Sequence, residues 1–217
     1  MFRAGLIGAL IGLAIDGTAT RAAALAGDAT GTLAGCDIPG CLDSTYCTLT
    51  FTDPAKDRIT ISPAGTGDTF AATGITIRVI LRNLQGQPFI GVPAEEIVLF
   101  HPELCICRGG NTADAPTDMN GMATFSGTIR GGGCVNSLFL AVDGVFICEL
   151  PVKTNSWDAL PASPCFVDAG DLAALSTRLG SQEGDANYSI CSDFNEDTRI
   201  DAGDVASFAS QLGAACP

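Results

Sequence analysis

The stretch DFNEDTRIDAGD, residues 193–204, places a side-chain oxygen at its positions 1, 3, 5, 9 and 12. These oxygens belong to Asp193, Asn195, Asp197, Asp201 and Asp204. In a free chain the carboxylates only repel one another, by about 1 kcal/mol for each close pair. Calcium takes about six to eight oxygen ligands, and a twelve-residue loop supplies them from positions 1, 3, 5, 7, 9 and 12. The pattern therefore predicts one calcium site, completed at position 7 by the main-chain carbonyl of Arg199.

A repeated segment must position this loop. VDAGDLAALSTRLG (167–180) and IDAGDVASFASQLG (200–213) have the same residue at seven of fourteen positions. In both, apolar residues recur at helical spacing, and a glycine follows as a helix stop. The apolar residues are Leu172, Leu175 and Leu179 in the first copy, and Val205, Phe208 and Leu212 in the second. The repeat predicts two amphipathic helices, each preceded by a loop.

The loop before the first helix is degenerate. Counting back from Asp171 and Asp168 as positions 12 and 9, positions 1, 3 and 5 are Leu160, Ala162 and Pro164. None of these side chains is a calcium ligand. Asp158 lies two residues too early, so only a loop with a two-residue insertion could use it. A second site made of Asp158, Asp168 and Asp171 is therefore left open.

The two loop–helix units, with Asp at position 12 and no helix before the loop, resemble a type I dockerin more than a calmodulin-like EF-hand. The resemblance implies calcium binding at 193–204 and attachment to a cohesin-like partner. The second loop departs from the usual pattern at position 6, where Thr198 replaces the glycine of the sharp turn. We expect Thr198 to take a positive φ at a cost of about 1–2 kcal/mol.

Ten cysteines follow the N-terminal segment, and an even number in an exported chain predicts disulfides. They are Cys36, Cys41, Cys47, Cys105, Cys107, Cys134, Cys148, Cys165, Cys191 and Cys216. Seven lie before Val152, so the odd number predicts one bridge to the C-terminal residues or one free thiol. Within the first loop, Cys165 is expected to pair with Cys191 or Cys216. The alternative is a zinc site formed by His101, Cys105, Cys107 and Cys134, although their spacing matches no zinc finger or ribbon.

The N-terminus predicts export. MFR is followed by the apolar run AGLIGALIGLAI (4–15), which is too short to span a membrane. ALA at 24–26 offers a cleavage site, so residues 1–26 are predicted to be a signal peptide. The mature form is then extracellular or at the cell surface and lacks a transmembrane span. Two alternatives stay open: a core helix over 4–15, and a lipoprotein box, LAGC (33–36), with acylation at Cys36.

The residues from 45 to 152 show strand periodicity and frequent turns, which predicts β structure throughout this range. ITIRVILR (75–82) alternates Ile75, Ile77, Val79 and Leu81 with polar residues, which predicts one buried strand face. Further candidate strands are 48–53, 57–62 and 95–100, and Asp143-Gly144 predicts a hairpin turn within 137–150.

ITIRVILRNLQGQPFIGVPAEEIVLF followed by TDMNGMATF (117–125) resembles the immunoglobulin-like modules of bacterial surface proteins. In the second motif Asn120-Gly121 forms the turn, and Ala123 and Phe125 then alternate into the core. The resemblance implies an immunoglobulin-like β-sandwich with a spacer or adhesive role.

The sequence therefore predicts a mainly β protein with a small two-helix C-terminal module. Its predicted parts are a signal peptide (1–26), a disulfide-rich immunoglobulin-like sandwich with an N-terminal extension (27–152), a linker (153–164) and a dockerin-like calcium module (165–217).

The predicted function is that of an exported, calcium-stabilised structural or adhesive protein, with self-assembly left open. The alternative is a dockerin-bearing component of an extracellular polysaccharide-degrading complex. In either case the partner is a protein, self or cohesin-like, that binds the C-terminal module. The net charge of −13 disfavours nucleic acid. We expect no enzymatic activity, because the chain lacks a G-x-S-x-G, a Walker loop and an H-E-x-x-H.

Overall fold

The structure is a computed structural model that describes residues 32–34, 46–52, 57–83, 85–159 and 165–217. The predicted signal peptide, Cys36, Cys41 and the side chain of Cys47 lie outside this part of the chain. Strands predominate over helices in the described residues, which confirms the mainly β class. No described helix has the length and apolar character needed to cross a membrane. We call residues 46–156 the β region and residues 157–217 the C-terminal region.

Most described strands belong to two antiparallel sheets. The strands are β1 (Thr32–Ala34), β2 (Tyr46–Phe51), β3 (Arg58–Ile61), β4 (Ile75–Ile80), β5 (Ile97–Phe100), β6 (Cys105–Ile106), β7 (Met122–Phe125), β8 (Gly131–Gly132), β9 (Leu138–Val142), β10 (Val145–Leu150) and β11 (Lys153–Ser156). The first sheet has the order β1-β2-β4-β7, and the second has the order β10-β9-β5. β11 pairs with β3 in parallel, and β6 pairs with β8 in antiparallel fashion.

One hydrophobic cluster joins the two larger sheets. The predicted face of β4 is confirmed, because Ile75, Ile77 and Val79 are buried while the residues between them are more exposed. On the neighbouring strand β7, Phe125 lies opposite Ile77. Leu99 of β5 and other buried residues of the second sheet belong to the same cluster. The described residues of the β region thus share one core between the two larger sheets.

Two predicted turns are confirmed. Asp143 and Gly144 have φ values of 49° and 72° and connect β9 to β10. Before β7, Asp118 Oδ1 accepts hydrogen bonds from the main-chain N–H groups of Asn120 (2.8 Å) and Met122 (2.9 Å). The bond from Met122, followed by that from Asn120, lowers the pKa of Asp118.

The prediction that residues 45–152 are β throughout is wrong in two places: a 3-10 helix (Ala94–Glu96) occupies the start of the candidate strand 95–100, and a short helix, α1 (Phe70–Thr73), interrupts the strands. Thr69 caps it by accepting a hydrogen bond from Ala72 N–H through its side-chain oxygen. Gly74, with a φ of 73°, ends it in the left-handed region. Phe70 enters the core from this helix.

The C-terminal region contains the two predicted helices, α2 (Ala169–Ser176) and α3 (Ala202–Ala209). They pack around a second cluster of buried residues, which comprises Trp157, Val167, Leu175, Phe194, Ile200 and Phe208. Leu172, Leu179 and Leu212 have exposed fractions of 39%, 48% and 56%, so only the central apolar residue of each helix is buried. Leu179 and Leu212 are exposed because both helices are short and these two residues lie beyond their ends.

Disulfides tie the two regions together. The described pairs are Cys105–Cys165, Cys107–Cys216 and Cys134–Cys191, and each joins the β region to the C-terminal region. The expectation that Cys165 pairs with Cys191 or Cys216 is therefore wrong, as is the expectation of at most one bridge between the regions. Cys148 is also disulfide-bonded.

The pairings also bear on the zinc alternative. Cys105, Cys107 and Cys134 are bonded to three different partners, so the thiolates that this alternative needs are engaged in disulfides. His101 lies against the ring of Phe139, with 4.8 Å between ring centroids, and its Nδ1 accepts a hydrogen bond from Glu103 N–H. We assign His101 a local structural role.

Part of the predicted linker belongs to the folded structure. Residues 153–156 form β11, and Trp157 packs against Phe194 with 5.7 Å between ring centroids. Trp157 Nε1 also donates a hydrogen bond to Ser207 Oγ of α3. The predicted division into parts stays a prediction, but residues 153–157 connect the two regions through packed structure.

Candidate metal centre

The loop 193–204 follows a short 3-10 helix (Ile190–Ser192) and ends in the first turn of α3. Its two end residues, Asp193 and Asp204, are fully buried. Asn195, Asp197, Arg199 and Asp201, which the sequence predicts as the ligands between them, are exposed. The loop therefore has two fixed ends and a solvent-facing middle.

Asp193 is held by hydrogen bonds to its carboxylate. Oδ1 accepts from Asp197 N–H (3.2 Å), and Oδ2 accepts from Thr198 N–H (3.1 Å) and from the hydroxyl of Tyr188 (2.7 Å). Burial of Tyr188, followed by its hydrogen bond to Asp193, raises the pKa of Tyr188 well above its usual range. Tyr188 therefore stays a neutral donor that keeps the first carboxylate in place.

Asp204 ties the beginning of the loop to the helix that follows. Its Oδ1 accepts from Phe194 N–H (2.7 Å), and its Oδ2 accepts from Asp201 N–H (2.9 Å). Asp201 in turn caps α3, because its Oδ1 accepts from Gly203 N–H. Positions 2, 9 and 12 of the loop are thus connected by hydrogen bonds at the start of α3.

The middle of the loop has local hydrogen bonds and strained backbone. Asn195 Nδ2 donates to Asp197 Oδ2 (3.0 Å), and Arg199 N–H donates to Asp197 Oδ1 (2.9 Å). Thr198 has a φ of 68°, as expected for the sharp turn at position 6, and Glu196 has a φ of 60°. A β-branched residue in this conformation is strained by about 1–2 kcal/mol.

The donor set fits calcium by its chemistry, because it consists of carboxylate, amide and main-chain oxygens, the ligands that this hard cation prefers. Among the described residues, however, the close groups of three or more ligand atoms involve cysteines and none lies in this loop. Asp193 and Asp204 are buried, whereas Asn195, Asp197 and Asp201 are exposed. A bound ion would bring these oxygens together and close the loop.

The C-terminal region has an approximate internal twofold repeat in its hydrogen bonds. Gly180 N–H donates to Ile200 O (2.8 Å), and its counterpart Gly213 donates to Val167 O (2.9 Å). The helix caps repeat as well, since Asp168 and Asp171 form the same reciprocal cap on α2 that Asp201 and Asp204 form on α3. Neighbouring contacts in this repeat identify the residue that begins the first loop.

Asp158 corresponds to Asp193 in this repeat. Ala159 N–H donates to Asp171 Oδ1 (2.9 Å), as Phe194 N–H does to Asp204 Oδ1. Asp158, which precedes Ala159, is fully buried like Asp193. The separation from Asp158 to Asp171 is two residues longer than that from Asp193 to Asp204, which is the insertion that the sequence requires for a second site.

The carboxylate of Asp158 nevertheless has different neighbours from that of Asp193. Asp158 Oδ2 lies 3.4 Å from Cys105 Sγ, which is bonded to Cys165 and so has no proton to donate. A Cβ at Gly132 would overlap the same carboxylate, so glycine is required at this close approach. The second site, of Asp158, Asp168 and Asp171, stays a prediction, and a disulfide lies beside it.

Sequence reasoning missed the contacts that reach the second loop from elsewhere. Tyr188 donates to the carboxylate of Asp193, while Arg58 and Asn155 of the β region donate to its main-chain carbonyl. Arg58 and Asn155 have no local signal in the sequence, because they lie far from Asp193 along the chain and meet it only in the folded protein.

The chain matches no protein-family model, no curated protein and no solved structure. The candidate centre is therefore defined by its own residues: a buried acid at each end of the loop, exposed oxygen ligands between them, and a helix capped by the last two acids.

Proposed function

We propose that this protein is an exported, calcium-stabilised structural or adhesive component of a cell surface or extracellular matrix. In this proposal the β region is an immunoglobulin-like sandwich and the C-terminal region is a dockerin-like, EF-hand-type module that binds calcium at residues 193–204. Two antiparallel sheets around one core support the first assignment, and the repeated hydrogen bonds and caps support the second.

The observation that carries the proposal is the arrangement of the loop acids. Asp193 and Asp204 are buried and fixed by hydrogen bonds, while the remaining predicted ligands are exposed between them. Closing such a loop without a counter-ion brings carboxylates together at an unfavourable energy, and a dication reverses the sign of that interaction. When bound, calcium would be held by these oxygens and would stabilise the C-terminal region. The disulfides between the regions suit an oxidising, extracellular environment.

A calcium titration by calorimetry tests the ion site, and the repeat supplies a matched control. Asp201 and Asp168 are equivalent helix caps that accept the same hydrogen bond, from Gly203 N–H and Gly170 N–H. Asp201→Ala should weaken calcium affinity by about tenfold, equivalent to about 1.4 kcal/mol, because it also removes a ligand. Asp168→Ala should leave the affinity of the second loop unchanged. A wild-type protein without saturable binding at millimolar calcium would end the proposal, and equal losses in the two variants would show that the first loop is also a working site.

One observation favours a protein partner for the C-terminal region. Leu172, Leu179 and Leu212 are exposed on or just after the two helices, and Leu179 and Leu212 are equivalent in the repeat. Self-association is one use of these side chains, and docking onto a cohesin-like partner in a polysaccharide-degrading complex is the second candidate.

Sedimentation velocity with calcium and with chelator distinguishes these uses. Calcium-dependent oligomers that disappear in a Leu179→Lys, Leu212→Lys double variant would support self-assembly. A wild type that remains monomeric with calcium bound would exclude self-assembly through this surface and favour a separate partner.

A further inference from the structure

The main-chain carbonyl of Asp193, at the first position of the loop, is bound by two side chains from the β region. Arg58 Nη1 donates to it at 3.2 Å, and Asn155 Nδ2 donates to it at the same distance. Arg58 Nη1 also donates to Ile190 O (3.3 Å), just before the loop. Asn155 is fully buried, so its contact with the loop is shielded from water.

These two donors are presented by neighbouring strands. β3 carries Arg58 and β11 carries Asn155, and in this parallel pair Arg58 lies opposite Lys153, two residues before Asn155. Residues two apart on a strand share a face, so both side chains project toward the C-terminal region. The parallel pair therefore forms a rigid support against which the beginning of the loop is placed.

Asp193 is consequently fixed from both regions. Its carboxylate is held within the C-terminal region by Tyr188, Asp197 and Thr198, and its carbonyl is held by Arg58 and Asn155. A metal ligand that is already oriented loses less conformational freedom when the ion binds. The position of the first ligand thus depends on how the C-terminal region rests against β3 and β11.

We propose that Arg58 and Asn155 are positioning residues for the calcium loop, so that the β region sets its affinity and calcium in turn strengthens the contact between the two regions. This inference rests on the proposed calcium function, and the reciprocity follows from thermodynamic linkage. Cys191 lies between Ile190 and Asp193, the residues whose carbonyls Arg58 binds. Bound calcium should therefore also protect the Cys134–Cys191 disulfide from reduction.

Arg58 contributes two opposing effects. Its hydrogen bonds orient the loop, whereas its positive charge repels a nearby cation. Asn155 has no charge and reports on positioning alone. Arg58→Lys keeps the charge and loses the planar guanidinium geometry, so it separates the two effects for Arg58.

The experiment is a calcium titration by calorimetry on the full-length, disulfide-bonded protein. Asn155→Leu and Arg58→Lys should each weaken calcium affinity by about three- to tenfold, the equivalent of one hydrogen bond. Asn111→Leu is the matched control for Asn155, since Asn111 Nδ2 donates to Leu99 O within the β region. Arg78→Lys is the control for Arg58, since Arg78 is exposed on β4. Both controls should bind calcium like the wild type.

A second measurement separates positioning from a general loss of stability. The increase in melting temperature on adding calcium should be smaller in Asn155→Leu and Arg58→Lys than in their controls, even where all four variants melt alike in chelator. Saturable wild-type binding with Asn155→Leu equal to Asn111→Leu would overturn the inference and leave the calcium function standing. Absence of wild-type binding would instead end the calcium function itself.

The wild type provides a test that needs no variant and covers the case in which Asn155→Leu does not fold. Limited reduction with a phosphine, followed by alkylation and peptide mapping, measures the rate at which Cys134–Cys191 opens. We expect opening to be at least about threefold slower with calcium than with chelator, as for a contact strengthened by one hydrogen bond. Equal rates in a protein that binds calcium would overturn the inference.

Discussion

Replacement of Asp204 and of Asp171 by alanine should separate the ion-binding role of an acidic residue from its role as a helix anchor. Both side chains are buried. Asp204 accepts from Phe194 N–H (2.7 Å) and Asp201 N–H (2.9 Å), and Asp171 accepts from Ala159 N–H and Asp168 N–H, both at 2.9 Å. Either substitution therefore leaves two closely bound main-chain N–H groups without their carboxylate acceptor, and Asp204→Ala also removes a longer bond from Asn195 N–H (3.4 Å).

The loss of folding stability can be calculated from the hydrogen bonds that each substitution removes. A hydrogen bond to a charged group contributes about 1.5–3 kcal/mol, so two bonds give about 3–6 kcal/mol, with the lower end favoured because they share one carboxylate. For a chain of this size 1 kcal/mol corresponds to about 2–4 °C, so a loss of about 3 kcal/mol lowers the melting temperature by about 6–12 °C. In chelator the melting temperatures of both variants should fall by similar amounts.

Calcium should then distinguish the two variants. At about 100 times its dissociation constant, a ligand adds about 2.7 kcal/mol to the stability of the folded state. Asp171→Ala should keep this gain, because its loop lacks the early ligands, whereas Asp204→Ala should lose most of it. Thermal unfolding followed by circular dichroism, in chelator and in calcium, measures both quantities. A full calcium gain in Asp204→Ala, or clearly unequal losses in chelator, would refute the reasoning.

Three further predictions follow from particular residues. Replacing Cys134 and Cys191 by serine should lower the free energy of unfolding by about 4 kcal/mol, because the disulfide closes a loop with a sequence separation of 57 and so restricts the unfolded chain. A loss below about 1 kcal/mol, measured by urea unfolding, would contradict the pairing. Thr198→Gly should raise the melting temperature, because it relieves strain of about 1–2 kcal/mol at a φ of 68°. The control Thr177→Gly, at a φ of −68°, should lower the melting temperature. A lower melting temperature for Thr198→Gly would count against strain at position 6 of the loop. Because the pKa of Asp118 is lowered in the folded state, its carboxylate stabilises the fold above the ordinary pKa of an aspartate, and this stability is lost as pH falls through the folded-state pKa. Asp118→Ala should therefore lose less stability than the wild type between about pH 5 and about pH 2. Equal losses in the two proteins would contradict the assignment.

The sequence by itself determined the features that depend on near neighbours. The alternation of Ile75, Ile77 and Val79 predicts the buried face of β4, because successive strand residues point to opposite sides. The Asp143-Gly144 pair predicts its hairpin, because both residues tolerate a positive φ. The helix repeat and the turn at Thr198 are likewise encoded within about a dozen residues, as is the ladder of oxygen ligands in the candidate calcium loop.

Only the tertiary structure decided which distant residues meet. Ten cysteines allow too many pairings for the sequence to choose among them, and chain packing selects Cys105–Cys165, Cys107–Cys216 and Cys134–Cys191. Periodicity predicts Leu179 and Leu212 as apolar residues of the two C-terminal helices, but each helix ends three residues before its leucine, so these side chains stay exposed. Arg58 and Asn155 reach the carbonyl of Asp193 from sequence separations of 135 and 38 residues, through a parallel strand pair that no local pattern encodes. The loop chemistry is therefore local, whereas the support that holds its first ligand is a property of the whole fold.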